Sequence, residues 1–373
     1  MKEKVLYLGG FELPDKNAAA QRVVSNAKIF RELGYEVSFI GVSHEVSDSI
    51  SFLATKSLYE GFEYYAVPYP KSLFSWLKYL TSISYFQFIE DYQPHIIIAY
   101  NYPSLPLYKL MAFCKKRGIK LYADVTEWYS PLGNPIKKVL KWLDTEFRMC
   151  YLHKRLDGLI TISSFLTSYY KEVHTIQLPP LVDLSEQKWN CADMDDSHDE
   201  IRMVYAGSPG TGEKDRLDLI IDSLQKINSK KIHLKIVGVT KEQYLNIGFP
   251  QPPSFVEFLG RVPHLKVIKI LQQSDFQIFI RTLNRVTLAG FPTKFAEAMS
   301  CGIPVITNKS SNLDDYLKDG YNGFFIDENN LDSSFNFLKT LKREDIIEMK
   351  KNCSQAKTFD YRNYLEQVES FLK

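Results

Sequence analysis

Short apolar runs alternate with stretches of helical period along almost the whole chain. The run "KVLYLG" is followed by the amphipathic pattern "AAAQRVVSNAKIFRELG" and then by "EVSFIGV". One face of the predicted helix carries Ala20, Val23, Ala27, Phe30 and Leu33. Near-continuous apolar strands separated by helices predict a parallel sheet that is covered on both faces.

The alternation occurs as two series. The first continues through "HIIIAY", "KLYADV" and "GLITI", and the second contains "IRMVYAG", "IHLKIVG", "FVEFLG", "DFQIFI", "PVITN" and "GFFID". The polar segment "SEQKWNCADMDDSHDE" separates them. We therefore predict an α/β fold with two Rossmann-like, doubly wound domains at 1–183 and 184–355, and a carboxyl-terminal helix at 356–373 that packs back on the first. Ligands bind at the carboxyl ends of parallel strands, so two such domains facing each other would share a ligand cleft.

Composition narrows the class of protein. Charged residues make up 24% of the 373 residues and the net charge is only +2, which argues against a dedicated nucleic-acid binder. Five scattered cysteines without a Cys-x-x-Cys pair fit a reducing cytoplasm, and Asp193, Asp195 and Asp196 are interpreted as a solvated charge run and not as a metal site. No stretch approaches 18 apolar residues, and the first apolar run is too short for a signal peptide, so we expect a cytoplasmic protein.

Two segments, "KSLFSWLKYLTSISYFQF" and "NPIKKVLKWLDTEFRMCYLHKRL", mix basic with aromatic and aliphatic residues at helical spacing. Basic amphipathic helices of this kind can lie on an anionic membrane surface, which would place the protein at the inner face of the plasma membrane. The alternative is that their apolar faces pack on the domain core.

Several motifs together resemble one family. The segment "GFPTKFAEAMSCGIPVITNKSSNLDDYLKDGYNGFFID" is similar to the carboxyl-terminal signature of family 4 retaining glycosyltransferases of GT-B architecture. "LGGF" with the first helix, "VYAGSPGTGEKDRLDLIIDSL" and "FVEFLGRVP" resemble other parts, so the resemblance covers nearly the whole chain. It implies transfer of a sugar from a nucleotide-diphosphate sugar to a glycan or lipid-linked acceptor in surface polysaccharide assembly, without a cofactor or metal.

The sequence departs from that family's pattern at two positions. The family usually carries a pair of glutamates, of which the second matches Glu297 while the first position is Ala289. A Gly-Arg pair that often follows the first strand of the second domain is here Gly207-Ser208. Ser208 is therefore a candidate donor-binding residue without the usual charge, and another cation must neutralise the diphosphate.

The departing diphosphate requires groups that stabilise negative charge. Lys214, in the glycine-rich "GTGEKD" before a helix, is the first candidate, and family members commonly carry a lysine there. Arg281 closes the strand "DFQIFI" and is the candidate replacement for the missing arginine, with Arg285 as a weaker alternative. For Lys214 and Arg281 the opposing interpretation is an ordinary solvated cation.

The segment "GFPTKFAE" predicts the amino end of a helix that meets phosphate. Gly290 permits close backbone approach, and Pro292 suits a first helical turn. Thr293 and Lys294 add a hydroxyl and a charge beside free backbone donors. Glu297 lies one turn further on the same face. By resemblance its carboxylate accepts hydrogen bonds from both ribose hydroxyls, and the alternative is an ordinary exposed helix residue.

Other candidates are weaker. By resemblance, the backbone around Arg261 and Val262 meets the nucleobase, although a plain turn explains it equally well. In the first domain, Gly9 and Gly10 occupy the first strand-to-helix turn. Arg22 either reaches the cleft or is solvated. Glu127 either binds the sugar or accepts the acceptor's proton, or it only caps a helix.

Two alternatives to a glycosyltransferase remain. A nucleotide-sugar epimerase of similar two-domain build would convert the donor without an acceptor. A non-catalytic nucleotide-sugar-binding partner is favoured by Ala289 and Ser208, because both replace residues that the family uses.

Overall fold

The computed structural model describes residues 2–130, 135–190, 198–207, 214–227 and 229–373. Ser208, Cys191 and the aspartates of the 193–196 run lie outside these ranges. The chain forms two compact units, the first comprising Met1–Leu181 with Tyr361–Lys373 and the second Val182–Asp360. The sequence had suggested boundaries at 183 and 355.

The strands follow the predicted apolar runs closely. In chain order they are β1 (Lys4–Gly9), β2 (Glu36–Ser43), β3 (Ser57–Tyr59), β4 (Phe62–Pro68), β5 (Ile96–Tyr100), β6 (Lys120–Val125), β7 (Gly158–Thr161), β8 (Thr175–Gln177), β9 (Ile201–Ala206), β10 (Ile232–Val237), β11 (Val256–Gly260), β12 (Phe276–Phe279), β13 (Val305–Thr307) and β14 (Gly323–Phe325).

Helices connect these strands. They are α1 (Ala18–Glu32), α2 (Leu73–Thr81), α3 (Phe86–Tyr92), α4 (Ser104–Arg117), α5 (Pro135–Glu146), α6 (Ser164–Tyr169), α7 (Leu217–Ile227), α8 (Lys241–Asn246), α9 (His264–Gln272), α10 (Arg285–Ala289), α11 (Thr293–Ser300), α12 (Leu331–Ser334), α13 (Arg343–Ala356) and α14 (Leu365–Leu372). A π-helical segment, Phe147–Leu152, continues α5. None of the described helices is long and apolar enough to cross a bilayer.

The first unit is built on one sheet with the order β3-β4-β2-β1-β5-β6-β7-β8. Its pairs are parallel except β3 with β4. Helix α1 begins at the N-cap Asn17, whose side chain accepts a hydrogen bond from the Ala20 amide. The predicted core face of this helix is buried, with Ala20, Val23, Ala27 and Phe30 in the core and Leu33 packed against it.

The carboxyl-terminal segment belongs to the first unit. Phe371 packs on Tyr122 of β6, and its carbonyl is 2.8 Å from Nε2 of His174. Tyr361 and Val368 join the same core as α1 and β1. The last helix therefore completes the hydrophobic core of the amino-terminal sheet.

The second unit has the strand order β11-β10-β9-β12-β13-β14, and these pairs are all parallel. Asp275, just before β12, is buried and forms ion pairs with Arg343 and Lys350 of α13 at 2.6 and 3.1 Å. Burial alone would raise the pKa of Asp275, but these cations and the Arg202 amide hold it below its ordinary value. This buried ion cluster holds α13 against the amino end of the sheet, away from the strand ends considered below.

Candidate functional site

The centre of the candidate site in the second unit is an ion pair between Lys294 and Asp215. Lys294 Nζ lies 2.5 Å from Asp215 Oδ2 and 4.1 Å from the centre of the Tyr205 ring. The Tyr205 hydroxyl donates to the same carboxylate at 2.7 Å. Burial alone would raise the pKa of Asp215, but Lys294, Tyr205 and Arg281 outweigh it and hold the pKa below its ordinary value. Burial lowers the pKa of Lys294.

Glycine makes this ion pair sterically possible. Gly207 follows β9 with φ of +150°, and a Cβ there would stand 2.6 Å from Lys294 Nζ. A side chain at Gly238, after β10, would collide with the Gly207 carbonyl oxygen at 2.4 Å. Two glycines at neighbouring strand ends therefore let the lysine reach the backbone at the carboxyl edge of the sheet.

Arg281 lies beyond the end of β12, as its place in the sequence predicted, but its guanidinium is buried. Nη1 donates to the carbonyl oxygens of Thr287 and Gly290 at 3.2 and 3.5 Å, and Nε is 3.8 Å from Asp215 Oδ1. Arg281 also pairs with Asp215 in an antiparallel bridge. The solvated alternative for Arg281 is wrong, whereas a direct contact with phosphate stays a prediction.

Lys214 immediately precedes Asp215, and its side chain is exposed. The Lys214 carbonyl accepts a hydrogen bond from the Thr282 amide at 3.1 Å. This backbone pairing fixes the segment that carries Lys214 against the end of β12. Arg281 and Lys294 thus meet at one buried carboxylate, and Lys214 is its neighbour in the chain.

Glu297 and the predicted nucleobase loop lie next to each other. The Glu297 Oε1 atom is 3.1 Å from Nε2 of His264, the first residue of α9. Arg261 and Val262 form the turn between β11 and α9, and the side chain of Arg261 is exposed. Tertiary packing therefore brings together the residues that the resemblance assigned to the ribose and to the base.

The amino end of α11 has the expected form, with one shift. Pro292 is the N-cap residue and Thr293 is the first helical residue. The amides of Thr293 and Lys294 precede the first intrahelical hydrogen bonds, so they are suited to an anion. The amide of Gly290, in contrast, donates to the Val286 carbonyl at 3.0 Å and ends α10. Gly290 can offer close approach but not its own N–H.

In the first unit, Gly9 has φ of +153°, and a Cβ there would stand 2.3 Å from the Tyr100 carbonyl oxygen. Close packing of β1 on β5 is thus sufficient reason for this glycine. Gly9 also lines a cavity of about 380 Å³ at the carboxyl ends of β1, β2 and β4. Gly10 is the next residue. A Cβ added to Gly10 would stand 3.6 Å from the Tyr79 hydroxyl oxygen.

Arg22 is buried among protein partners, so the solvated alternative is wrong. Its guanidinium is buried and donates to Asp124 through Nε at 2.9 Å and Nη2 at 2.8 Å. Nη1 donates to the carbonyls of Leu178 and Pro179. Asp124 has no exposed surface and also accepts from the Tyr7 hydroxyl. Donor binding by Arg22 stays a prediction that would require these bonds to break.

Glu127 follows β6 in a non-helical segment, and both its role at the sugar and its role as a helix cap stay predictions. The preceding residue, Thr126, is clasped by Asn101 at the end of β5 through a 2.6 Å side-chain hydrogen bond. Burial is the largest cause of the raised pKa values of Tyr100 and Tyr129. The charge of Glu127 also raises them. The acid thus lies among tyrosines at the carboxyl edge of the first sheet.

The two basic amphipathic segments expose part of their apolar side chains, whereas Tyr85 in the first and Met149 and Leu152 in the second are buried. In α2, Leu73 and Phe74 are 83% and 77% exposed, and in α5, Leu140 and Trp142 are 60% and 50% exposed. The core-packing alternative is therefore wrong for these side chains. Helix α4 packs against both α2 and α5 and exposes Leu105, so the three helices form one partly apolar surface.

Sequence reasoning missed the structural partners of the candidate cations. Asp215 was not singled out, although it follows Lys214 directly, and Tyr205 lies two residues before Gly207. Nothing in a linear pattern shows that a lysine at 294 meets a carboxylate at 215. Among the described residues, no group of three or more His, Cys, Asp or Glu side chains could hold a metal ion.

Residues 197–358 match the family model described as glycosyl transferases group 1. This range covers most of the second unit, including the Asp215–Lys294 pair and Glu297. No curated protein sequence matches the chain significantly.

Solved structures align over the whole chain. A sucrose-phosphate synthase from Thermosynechococcus elongatus is 13% identical with a TM-score of 0.67, covering 100% of this chain and 98% of that one. Anabaena HepE in complex with UDP and glucose is 15% identical, with a TM-score of 0.65 and 99% coverage of both chains. A glycosyltransferase from Rickettsia africae is 14% identical, with a TM-score of 0.66 and coverage of 100% and 99%. The chain thus has the GT-B fold of two Rossmann-like domains, and together with the family match this supports a glycosyltransferase.

Proposed function

We propose that this protein transfers a sugar from a nucleotide-diphosphate sugar to a glycan or lipid-linked acceptor in surface polysaccharide assembly, with retention of configuration, as in family 4. The observation that carries the proposal is the meeting of Arg281 and Lys294 at Asp215, next to Lys214 in the chain and one turn of α11 from Glu297. Two cations, Arg281 and Lys294, thus share a single buried carboxylate at the carboxyl ends of β9 and β12. A diphosphate is the anion that suits such a place.

In this proposal Lys214 and Lys294 hold the diphosphate together with the free amides of Thr293 and Lys294. Arg281 acts indirectly. It pairs with the Asp215 carboxylate and supports the turn at Gly290 by donating to the carbonyl there. Glu297 accepts hydrogen bonds from the ribose hydroxyls, and the segment at Arg261 and Val262 meets the base. Ala289 leaves the donor sugar without the acid that the family usually places there.

The reaction then needs little from the protein besides charge and position. The bond between the anomeric carbon and the diphosphate oxygen breaks, and the acceptor oxygen bonds to that carbon on the same face. The acceptor's proton passes to the departing phosphate. No metal ion or cofactor takes part in this scheme.

The first test is donor binding. A panel of UDP-, GDP- and ADP-sugars is expected to contain one donor that raises the melting temperature, since ligand at 100 times Kd stabilises a protein by about 2.7 kcal/mol. Glu297→Ala is expected to lower the affinity for that nucleotide sugar by ~10- to 100-fold, because a carboxylate that accepts two hydrogen bonds is lost. Lys214→Ala should lower transfer.

The matched control is Glu348→Ala, which removes an exposed carboxylate on α13 in the same unit. It should bind the donor and transfer sugar like the wild type. Wild-type turnover that both Glu297→Ala and Lys214→Ala leave unchanged would contradict the site assignment. Conversion of the donor without an acceptor would favour the epimerase, and donor binding without turnover would favour the non-catalytic partner.

A peripheral contact with the inner membrane surface is part of the proposal. It is supported by the exposed apolar side chains of α5, such as Leu140 and Leu143, which alternate with Lys138 and Lys141. Aliphatic side chains flanked by lysines suit the interface of an anionic bilayer. A cytoplasmic location follows from the proposal and has no other support.

We expect the protein to float with phosphatidylcholine vesicles that contain phosphatidylglycerol and to be released by high salt. Leu140→Glu with Leu143→Glu should lower the bound fraction several-fold, because charge replaces apolar surface on α5. Ile347→Glu, at an exposed apolar residue of the second unit, is the control and should bind normally. Equal binding by all three proteins would exclude α5 as the contact.

A further inference from the structure

Helix α2 carries polar side chains on the side that lines a cavity of the first unit and exposed apolar side chains on the opposite side. The side that lines the cavity of the first unit carries Ser72, Ser75, Lys78, Tyr79 and Ser82. The opposite side carries Leu73, Phe74 and Leu77, which are 83%, 77% and 59% exposed. No residue of α2 is buried. This helix therefore contributes polar groups to one wall of the cavity, whose opposite wall includes Ile40, Val42 and Val67, and it presents an apolar outer surface.

The cavity suits a hydroxylated, anionic group. Two lysines, Lys71 and Lys78, line it together with one carboxylate, Asp48, and hydroxyl groups come from serines and tyrosines. Lys71 Nζ donates to the His44 carbonyl at 3.0 Å, which holds its charge at the cavity wall. Burial raises the pKa of Tyr79 to about 12, so this phenol stays protonated and can donate a hydrogen bond.

The cavity also has the position of a ligand site. Gly9 and Gly41 lie on its wall at or near the carboxyl ends of β1 and β2, where parallel sheets bind ligands. A Cβ at Gly41 would stand 2.6 Å from the Phe11 carbonyl oxygen, so the backbone there has no room for a side chain. The volume of about 380 Å³ is that of a small-molecule site.

The rim of the cavity is apolar. Leu73, Phe74 and Leu77 lie directly outside it on α2, and Leu105 and Tyr108 of α4, the helix that packs on α2, continue the apolar surface. Contiguous exposed apolar side chains mark a binding surface. One ligand that covers this rim and also fills the cavity must have an apolar part next to a polar, charged part.

We propose that this cavity takes the polar, anionic head group of a lipid acceptor, while the acyl or prenyl part of that lipid lies along the outer face of α2. The inference rests on the proposed function in naming this lipid as the acceptor of the sugar. A free phosphorylated sugar would use the lysines but leave Leu73 and Phe74 in water. The lipid uses both sides of the helix.

Dihexanoylphosphatidylglycerol, kept below its micelle concentration, is the probe, and its Kd is measured by calorimetry. Glycerol 1-phosphate supplies the head group alone, and dihexanoylphosphatidylcholine supplies the same chains with a zwitterionic head. We expect the phosphatidylglycerol to bind ~10- to 100-fold more tightly than either, because each of the others lacks one half of the contact. Glycerol 1-phosphate should compete with it.

Two sets of substitutions separate the halves of the site. Lys71→Met with Lys78→Met should weaken both the lipid and glycerol 1-phosphate by about 10-fold or more. Leu73→Ser with Phe74→Ser should weaken the lipid by ~10- to 100-fold and leave glycerol 1-phosphate unchanged. Lys115→Met with Lys116→Met, at the far end of α4, is the control for charge and should change neither.

The outcomes distinguish this inference from the proposed function. If lipid binding depends on Leu73 and Phe74 but not on Lys71 and Lys78, the lipid adsorbs through the apolar face alone. That result would overturn the head-group site. Equal affinity for glycerol 1-phosphate and the lipid would make the ligand a free anion. The same variants should give a normal melting shift with the nucleotide sugar, whose site is in the second unit. Absence of that shift in the wild type would remove the proposed function but leave the lipid measurements standing.

Discussion

The Lys294→Met variant is expected to transfer sugar ~10²- to 10³-fold more slowly than the wild type, the usual cost of removing one donor from developing charge. Lys294 is the cation most firmly placed by the structure, because Gly207 leaves room for it and Asp215 and Tyr205 fix it. Methionine keeps most of the apolar stem and removes only the ammonium. Initial rates at saturating donor give the comparison.

A second substitution shows whether the lysine serves the diphosphate or only its buried partner. In Lys294→Met with Asp215→Asn no uncompensated carboxylate remains, so stability lost in the single variant should largely return. Activity should stay low if the ammonium holds phosphate. Recovery of activity in the double variant would show that Lys294 acts only by neutralising Asp215. Lys351→Met, an exposed lysine of α13, should behave as the wild type.

The Arg22→Met variant is expected to lose about 3–5 kcal/mol of unfolding free energy, the typical cost of removing one partner of a buried ion pair. Asp124, which has no exposed surface, would lose its cationic partner, and the Leu178 and Pro179 carbonyls would lose their donor. Chemical denaturation monitored by circular dichroism measures the change.

The control is Arg31→Met, at an exposed arginine near the end of the same helix, which should cost about 1 kcal/mol or less. Arg22→Met with Asp124→Leu should be more stable than Arg22→Met alone, because the unpaired charge is gone. A small loss of stability together with a large rise in donor Kd would mean that Arg22 serves the nucleotide sugar after all.

The strand pattern was predictable because its signal is local. Buried strands of a parallel sheet need apolar side chains on both faces, so runs such as those of β5 and β10 stand out from the helices around them. The short edge strands β3 and β8 and the inner strand β4 were not predicted. An edge strand buries fewer side chains, and "SLY" and "TIQ" carry too weak an apolar pattern to be recognised.

The candidate site residues also divide into those that a local sequence signal marks and those that it does not. Glu297 and Lys294 could be chosen because a glycine, a proline and a helix pattern in one short segment mark the amino end of a helix. Arg22 could not be placed, since an arginine within a helix looks the same whether it faces water or a buried acid 102 residues away. The membrane-like segments were recognised as basic and amphipathic, but only coordinates showed on which side of α2 the cavity lies.

By itself, the sequence determined the alternating α/β pattern, the two sheets and the helix start at Pro292, because each depends on neighbours within a few residues. The tertiary structure alone decided that Asp215 pairs with Lys294 and that His264 contacts Glu297. It also decided that Arg22 is buried in an ion pair with Asp124. Charge pairs across many residues depend on sheet order and on the close approach that Gly207 and Gly238 allow. Such contacts are set by packing, which no local pattern of polar and apolar residues records.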